Sequence, residues 1–221
     1  MTPLSLLAAA CGATALWLGW STLQANKART AARRGYFDAI APAFDRVVQR
    51  IEPTGFPRMT GHLGEDAFDL QALPDSLTFR KLPALWVMVS LPMPLPVQAT
   101  LDIMARPAGN EPFSHFARLP HSLPCPDSLP EGTGIRSDNA AAVPPLDRIA
   151  PHLGIFADPK VKELVISPKG LRLVILADEA ERGRYLIFRD LEVGRQPLPK
   201  DRLLPLIDTL RALRQTLNET P

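Results

Sequence analysis

Hydrophobic and polar positions along this chain follow three different rhythms, and each predicts a different element. From Leu4 to Leu23 no side chain is charged, and Leu, Ala and Trp dominate. About 20 helical residues at ~1.5 Å rise span ~30 Å, the thickness of a bilayer's hydrocarbon core. The run therefore predicts a single transmembrane helix. Trp17 and Trp20 fall near its end, where indole rings favour the lipid–water interface, and Lys27, Arg29, Arg33 and Arg34 follow at once. Those six residues are the expected membrane-interface set. The positive-inside bias then puts everything from Lys27 onward in the cytoplasm, as the domain of a single-pass cell-membrane protein.

The second rhythm is helical. Phe37, Ile40, Phe44, Val47 and Ile51 recur at steps of three and four, which predicts an amphipathic helix interrupted by Pro42 and closed by Pro53 and Gly55. A helix is also expected over about Asp201–Asn218, with Leu203, Leu206, Leu210, Leu213 and Leu217 on one stripe and Asp201 as N-cap. Leu146, Ile149 and Leu153 suggest a shorter one between Pro145 and Phe156.

The third rhythm is alternation with period two or a short unbroken apolar run, both marks of strands. Phe68, Leu70 and Ala72 alternate with Asp69 and Gln71, and Ala84–Val89 is continuous and apolar. Val97, Ala99, Leu101 and Ile103 alternate again, so Ala84–Leu91 and Val97–Ala105 are expected to pair antiparallel across Pro92–Pro96. Glu163–Ser167 and Leu171–Ala177 flank Pro168-Lys169-Gly170, and Arg184–Arg189 returns as a third strand of a meander. Val165, Leu173, Ile175 and Ile187 are its expected buried positions. Between Arg106 and Pro145 eight prolines accumulate and periodicity disappears, which predicts a long loop.

These elements add up to an α+β fold. An N-terminal transmembrane helix precedes a mainly antiparallel sheet packed by an amphipathic helix and a C-terminal helix. The expected division is an anchor at 1–24, a basic juxtamembrane segment with the amphipathic helix at 25–54, and an α+β domain at 55–221 with the proline-rich loop at 106–145.

Composition narrows the function without naming it. A net charge of +2 in 221 residues lacks the concentrated basic face of a nucleic-acid binder. The two cysteines, Cys11 and Cys125, cannot form a disulfide within the α+β domain, because Cys11 lies in the anchor. His115, His121 and Cys125 have no paired ligand motif, so no metal or other cofactor is expected. His62 lies near Glu65 and Asp66, an arrangement that could serve acid–base chemistry but stands beside no nucleophile motif. Asp178, Glu179 and Glu181 lack the spacing of a calcium loop.

No catalytic residue stands out. The expected function is a membrane-tethered interaction or scaffold module. Its partners would be the lipid bilayer and another membrane or cytoplasmic protein, with no nucleic acid. The alternative is an enzyme or small-ligand-binding domain with the 106–145 loop as a lid and His115 or His121 in its pocket.

Overall fold

The computed structural model describes residues 3–75, 82–183 and 193–219, with side chains from Cys11 onward. The described helices and strands follow one another along the chain. They are α1 (Pro3–Arg34), β1 (Asp45–Ile51), β2 (Pro57–Leu63), β3 (Asp66–Asp75), β4 (Ala84–Pro92), β5 (Leu101–Ala105), β6 (His121–Leu123), β7 (Thr133–Ser137), α2 (Leu146–Ile149), β8 (Val161–Ser167), β9 (Gly170–Glu179) and α3 (Lys200–Asn218). A 3-10 segment, Ala150–Ala157, prolongs α2. The strands form one sheet in the order β1-β2-β3-β4-β9-β8-β5-β7-β6, and every neighbouring pair is antiparallel.

The expected membrane anchor is corrected. Among the described residues no helix is long and apolar enough to cross a membrane. From Cys11 on, α1 carries Thr14, Ser21, Thr22, Gln24, Asn26 and Lys27, so its apolar stretch there is too short and too interrupted to span a hydrocarbon core. The Ser21 and Thr22 hydroxyls donate to the carbonyls of Leu18 and Gly19, and Thr30 donates to that of Asn26, so the helix satisfies these groups itself.

The helical pattern expected from Ala25 to Ile51, within the 25–54 segment, is also corrected beyond Arg34. The chain leaves α1 at Arg34, makes turns and one 3-10 step at Ala41–Ala43, and enters an edge strand at Asp45. Phe37, Ile40 and Phe44 are buried as expected, but Val48 and Ile51 stand exposed on β1. Pro42 accounts for the switch. It starts a single turn comfortably, whereas inside a continuing helix it would remove a hydrogen bond and clash with the preceding turn.

The expected pairing of 84–91 with 97–105 does not form. The β8–β9 hairpin inserts between them, so β4 pairs with β9 and β5 pairs with β8. The strand expected from Val97 begins only at Leu101. The proline-rich stretch 106–145 is not a continuous loop, because β6 and β7 lie within it and extend the sheet beyond β5. The third meander strand and Ile187 lie outside the described residues. Val165 is only half-buried, and its neighbours Leu164 and Ile166 are the core residues of β8.

One face of the sheet carries the main core. Met59, Leu70, Val87, Leu173, Ile175, Ile103 and Leu164 point into it, under α3, α2 and the 36–44 turns. Leu203, Ile207, Leu210, Leu213 and Leu217 form the buried stripe of α3. Pro199, not Asp201, is its N-cap, so Pro205 sits two residues deeper in the helix than the sequence suggests. Arg148 of α2 donates to the carbonyls of Thr216 and Glu219, supplying positive charge where the helix's last carbonyls lack partners. At the other end of the sheet contact, Arg202 donates to Ala177 at 2.9 Å and also to Leu176.

Candidate functional site

The second face of the sheet is where polar side chains converge. Strand alternation sends Trp86 and Met88 of β4, Arg172 and Val174 of β9, Glu163 of β8, and Asp102 and Met104 of β5 to this side. A register irregularity between Val161 and Glu163 adds Lys162 to the same side, since two residues of β8 there oppose one of β9. Two adjacent charged residues thus enter one site, which strict alternation would forbid.

Residues 106–119 form a strap across this face. Phe113 and Phe116 are its apolar pins, packed with Met104 and Val174. The Phe116 ring rests on Gly134 of β7, where an added Cβ would lie 2.8 Å from Cζ. The Arg136 guanidinium sits 5.6 Å from the centre of that ring and donates to the carbonyls of Ala117 and Leu119. The strap begins at Arg106, whose φ of 48° is rare for a residue with a side chain. Four bonds hold it there. Its N–H donates to Gly132, its guanidinium donates to Pro159 at 2.6 Å, and Lys162 Nζ donates to the carbonyls of Ala105 and Arg106.

Beneath the strap lies a charged cluster. Glu163, wholly buried, accepts from Arg172 Nη2 at 3.0 Å and from the Ser114 hydroxyl. Lys162 and Glu111 pair at 3.0 Å, and both side chains are almost fully buried. Asp102 is 2% exposed. Burial pushes its carboxyl up to about 8; the Glu163 charge adds to the rise and Arg172 opposes it. Burial likewise raises Glu163, against the pull of Arg172 and Ser114. Burial alone would raise Glu111 as well, but the Ala108 N–H and Lys162 outweigh it and hold that carboxyl below its ordinary range.

Two clefts flank the strap. The first, about 670 Å³, is walled by Trp86, Pro112, Phe113, Glu111, Lys162 and Arg106. The Trp86 and Phe113 rings meet at 5.0 Å and 55°, giving it an aromatic side. The second, about 610 Å³, is walled by Asp102, Arg172, Val165, His115, Leu119 and Asp138. Among the described residues, Trp86 Nε1, Asp102 Oδ1 and Arg172 Nε are buried without a hydrogen-bond partner.

The residues singled out from the sequence are elsewhere. Trp17 and Trp20 are 62% and 61% exposed on α1, with Lys27, Arg29 and Arg34 exposed further along the same helix. Arg33 packs instead, its guanidinium 5.5 Å above the Phe56 ring. The membrane-interface role expected of these six rested on a span that no helix among the described residues forms. His115 does line the second cleft, whereas His121 is exposed on β6 and is no part of it. No three His, Cys, Asp or Glu side chains come together to hold a metal among the described residues.

Asp66 is not placed beside His62 for acid–base work. It is buried and clasped by Arg211 at 3.0 Å and by Arg214, which ties β3 to α3. Asp178 pins the chain by accepting from the Gly194 N–H at 2.8 Å, and Glu179 lines the first cleft.

Sequence reasoning missed Asp102, Lys162, Glu163 and Arg172. The available signal was a charged residue interrupting each apolar strand, which reads equally well as the solvent side of a half-buried strand. The site stands on this geometry alone, because no protein-family model, no curated protein and no solved structure matches the chain.

Proposed function

We propose that this chain binds a small organic ligand in the first cleft, through an apolar or aromatic body and one hydrogen-bond acceptor. The observation that carries this reading is Trp86. Trp86 walls the cleft, and its indole N–H is buried with no acceptor among the described residues. An unmade buried hydrogen bond costs about 1–3 kcal/mol, which a ligand carbonyl or carboxylate oxygen would recover. The cleft's volume falls within the range of about 300–1,000 Å³ typical of ligand sites. Of the charges that wall it, Lys162 and Glu111 are paired with each other and Asp75 and Glu179 are matched in number by Arg106 and Lys160, so specificity would rest on the indole and the ring surfaces. The test is titration of the ¹⁵N-labelled full chain with benzoate. The Trp86 indole resonance is expected to move downfield and saturate, and Trp86→Phe should abolish the binding. Shifts confined to Trp17 and Trp20 would overturn the reading.

A second reading, a protein-interaction module, is favoured by α1. Leu16, Trp17, Leu18, Trp20 and Leu23 are each more than half exposed there. Replacing Trp17 and Trp20 by Ser should then abolish self-association or partner capture while leaving benzoate binding unchanged.

A further inference from the structure

Two residues that wall the second cleft each carry a polar atom that is buried and, among the described residues, unpaired. Asp102 Oδ1 accepts no hydrogen bond from the described residues, although its side chain is almost wholly buried. Arg172 donates through Nη2 to Glu163, while its buried Nε–H donates to nothing among the described residues. Strand pairing puts the two residues in one row. Asp102 lies opposite Val165, and Val165 lies opposite Arg172. Two strand spacings separate them, roughly 9.6 Å between Cα atoms, and both side chains wall the same cleft.

Buried donors and acceptors in folded proteins are nearly always satisfied, because each unmade bond forfeits the desolvation of that group. One orphan acceptor and one orphan donor on two residues that wall one cavity are the complement of a group that carries a donor and an acceptor side by side. A carboxamide is such a group, with its N–H directed to Asp102 and its C=O to Arg172. We infer that the second cleft binds a small molecule by a carboxamide group seated between Asp102 and Arg172.

The charges argue the same way. Asp102 is flanked by Glu163 and Arg172, and Asp138, Lys169 and His115 stand at the rim. The Asp138 carboxylate is already engaged by the Thr100 N–H at 2.8 Å. Burial keeps the proton on Asp102 at neutral pH, a ligand ammonium would repel Arg172, and a ligand carboxylate carries no donor for Asp102 Oδ1, so a group with both a donor and an acceptor fits best. Leu119, Leu171 and Val165 offer apolar wall for the remainder of the molecule. This site shares no side chain with the first cleft and does not depend on it.

The experiment uses three molecules with one ring. Nicotinamide, nicotinate and 3-picolylamine are titrated into the ¹⁵N-labelled full chain, and backbone shifts of Asp102, Val165 and Arg172 are followed. Nicotinamide should shift these resonances saturably and bind at least about tenfold more tightly than the acid or the amine. Asp102→Ala should weaken it by a similar factor. Arg172→Lys, which keeps a cation on Glu163 but removes Nε, should also weaken it and serves if the first variant fails to fold. Equal binding of the acid or amine, or unchanged binding in either folded variant, overturns the inference. So does a response confined to the Trp86 indole, or the absence of saturable shifts, which would mean that water alone fills the cleft.

Discussion

Arg172 of β9 reaches Glu163 of β8 at 3.0 Å, and it is the cation that touches a carboxylate with no solvent exposure at all. The strap residue Ser114 closes the same carboxylate from above. Charge, strand pairing and strap docking therefore meet at one pair. Arg172→Met should destabilise the protein by about 3 kcal/mol, because it leaves a buried carboxylate uncompensated. Glu163→Gln should cost less, and the double variant less than the sum of the two. Urea unfolding of the four proteins measures this as a double-mutant cycle.

Asp102 makes stability fall as pH rises. Its folded carboxyl is raised to about 8, while an unfolded aspartate titrates near ~3.9. The native state keeps a proton that the unfolded chain has released. Its contribution is therefore fully present below about pH 4 and lost as pH rises towards about 8. Glu163, also raised, acts in the same sense. Asp102→Asn removes the titration, so the variant should gain stability relative to the parent across that window. Paired thermal melts at several pH values check the sign.

Gly170 closes the β8–β9 hairpin with a φ of 134°. A Cβ there would lie 2.2 Å from the Leu91 carbonyl oxygen and 2.9 Å from the Met93 nitrogen, both backbone atoms of β4 and the chain just after it. Backbone cannot step aside as a side-chain tip can. Gly170→Ala should therefore cost about 3 kcal/mol or more, beyond the ~1 kcal/mol of a simple turn preference. Chemical denaturation of the folded fraction measures it.

Ile175 is 1% exposed at the centre of the main core, on the strand that β4 and β8 both flank. Ile175→Asp would bury an unpaired charge and should lower stability by several kcal/mol, enough to unfold a typical domain. The loss of the thermal transition of the full chain is the expected readout.

Much of the sheet was legible because burial there follows alternation. Phe68, Leu70 and Ala72 are the buried face of β3, and the β8–β9 hairpin falls where Pro168-Lys169-Gly170 places it. The C-terminal stripe of Leu203, Leu210, Leu213 and Leu217 is buried, with Ile207 deeper than Leu206. The stretch 36–51 misled because Phe37, Ile40 and Phe44 keep helical spacing through turns and a 3-10 step, which bury every third or fourth residue as a helix does. The site was illegible for another reason. Asp102, Glu163 and Arg172 look like solvent-facing positions until the strap is seen to cover them.

The sequence by itself determined the local elements: the strand periods, the hairpin at Gly170, the apolar stripe of α3, and the N-terminal run of Leu, Ala and Trp. These depend on side-chain spacing and backbone permission, which act over a few residues. Only the tertiary structure decided that β8 and β9 insert between β4 and β5, that β6 and β7 arise inside the proline-rich stretch, and that residues 106–119 turn one sheet face into a roofed, charged site. Pairing partners lie up to 95 residues apart, as with Ala84 and Glu179. Their choice is a competition among all strands for the same backbone partners. Nothing in a local window reports the outcome of that competition, so the site, which is its product, becomes visible only in the fold.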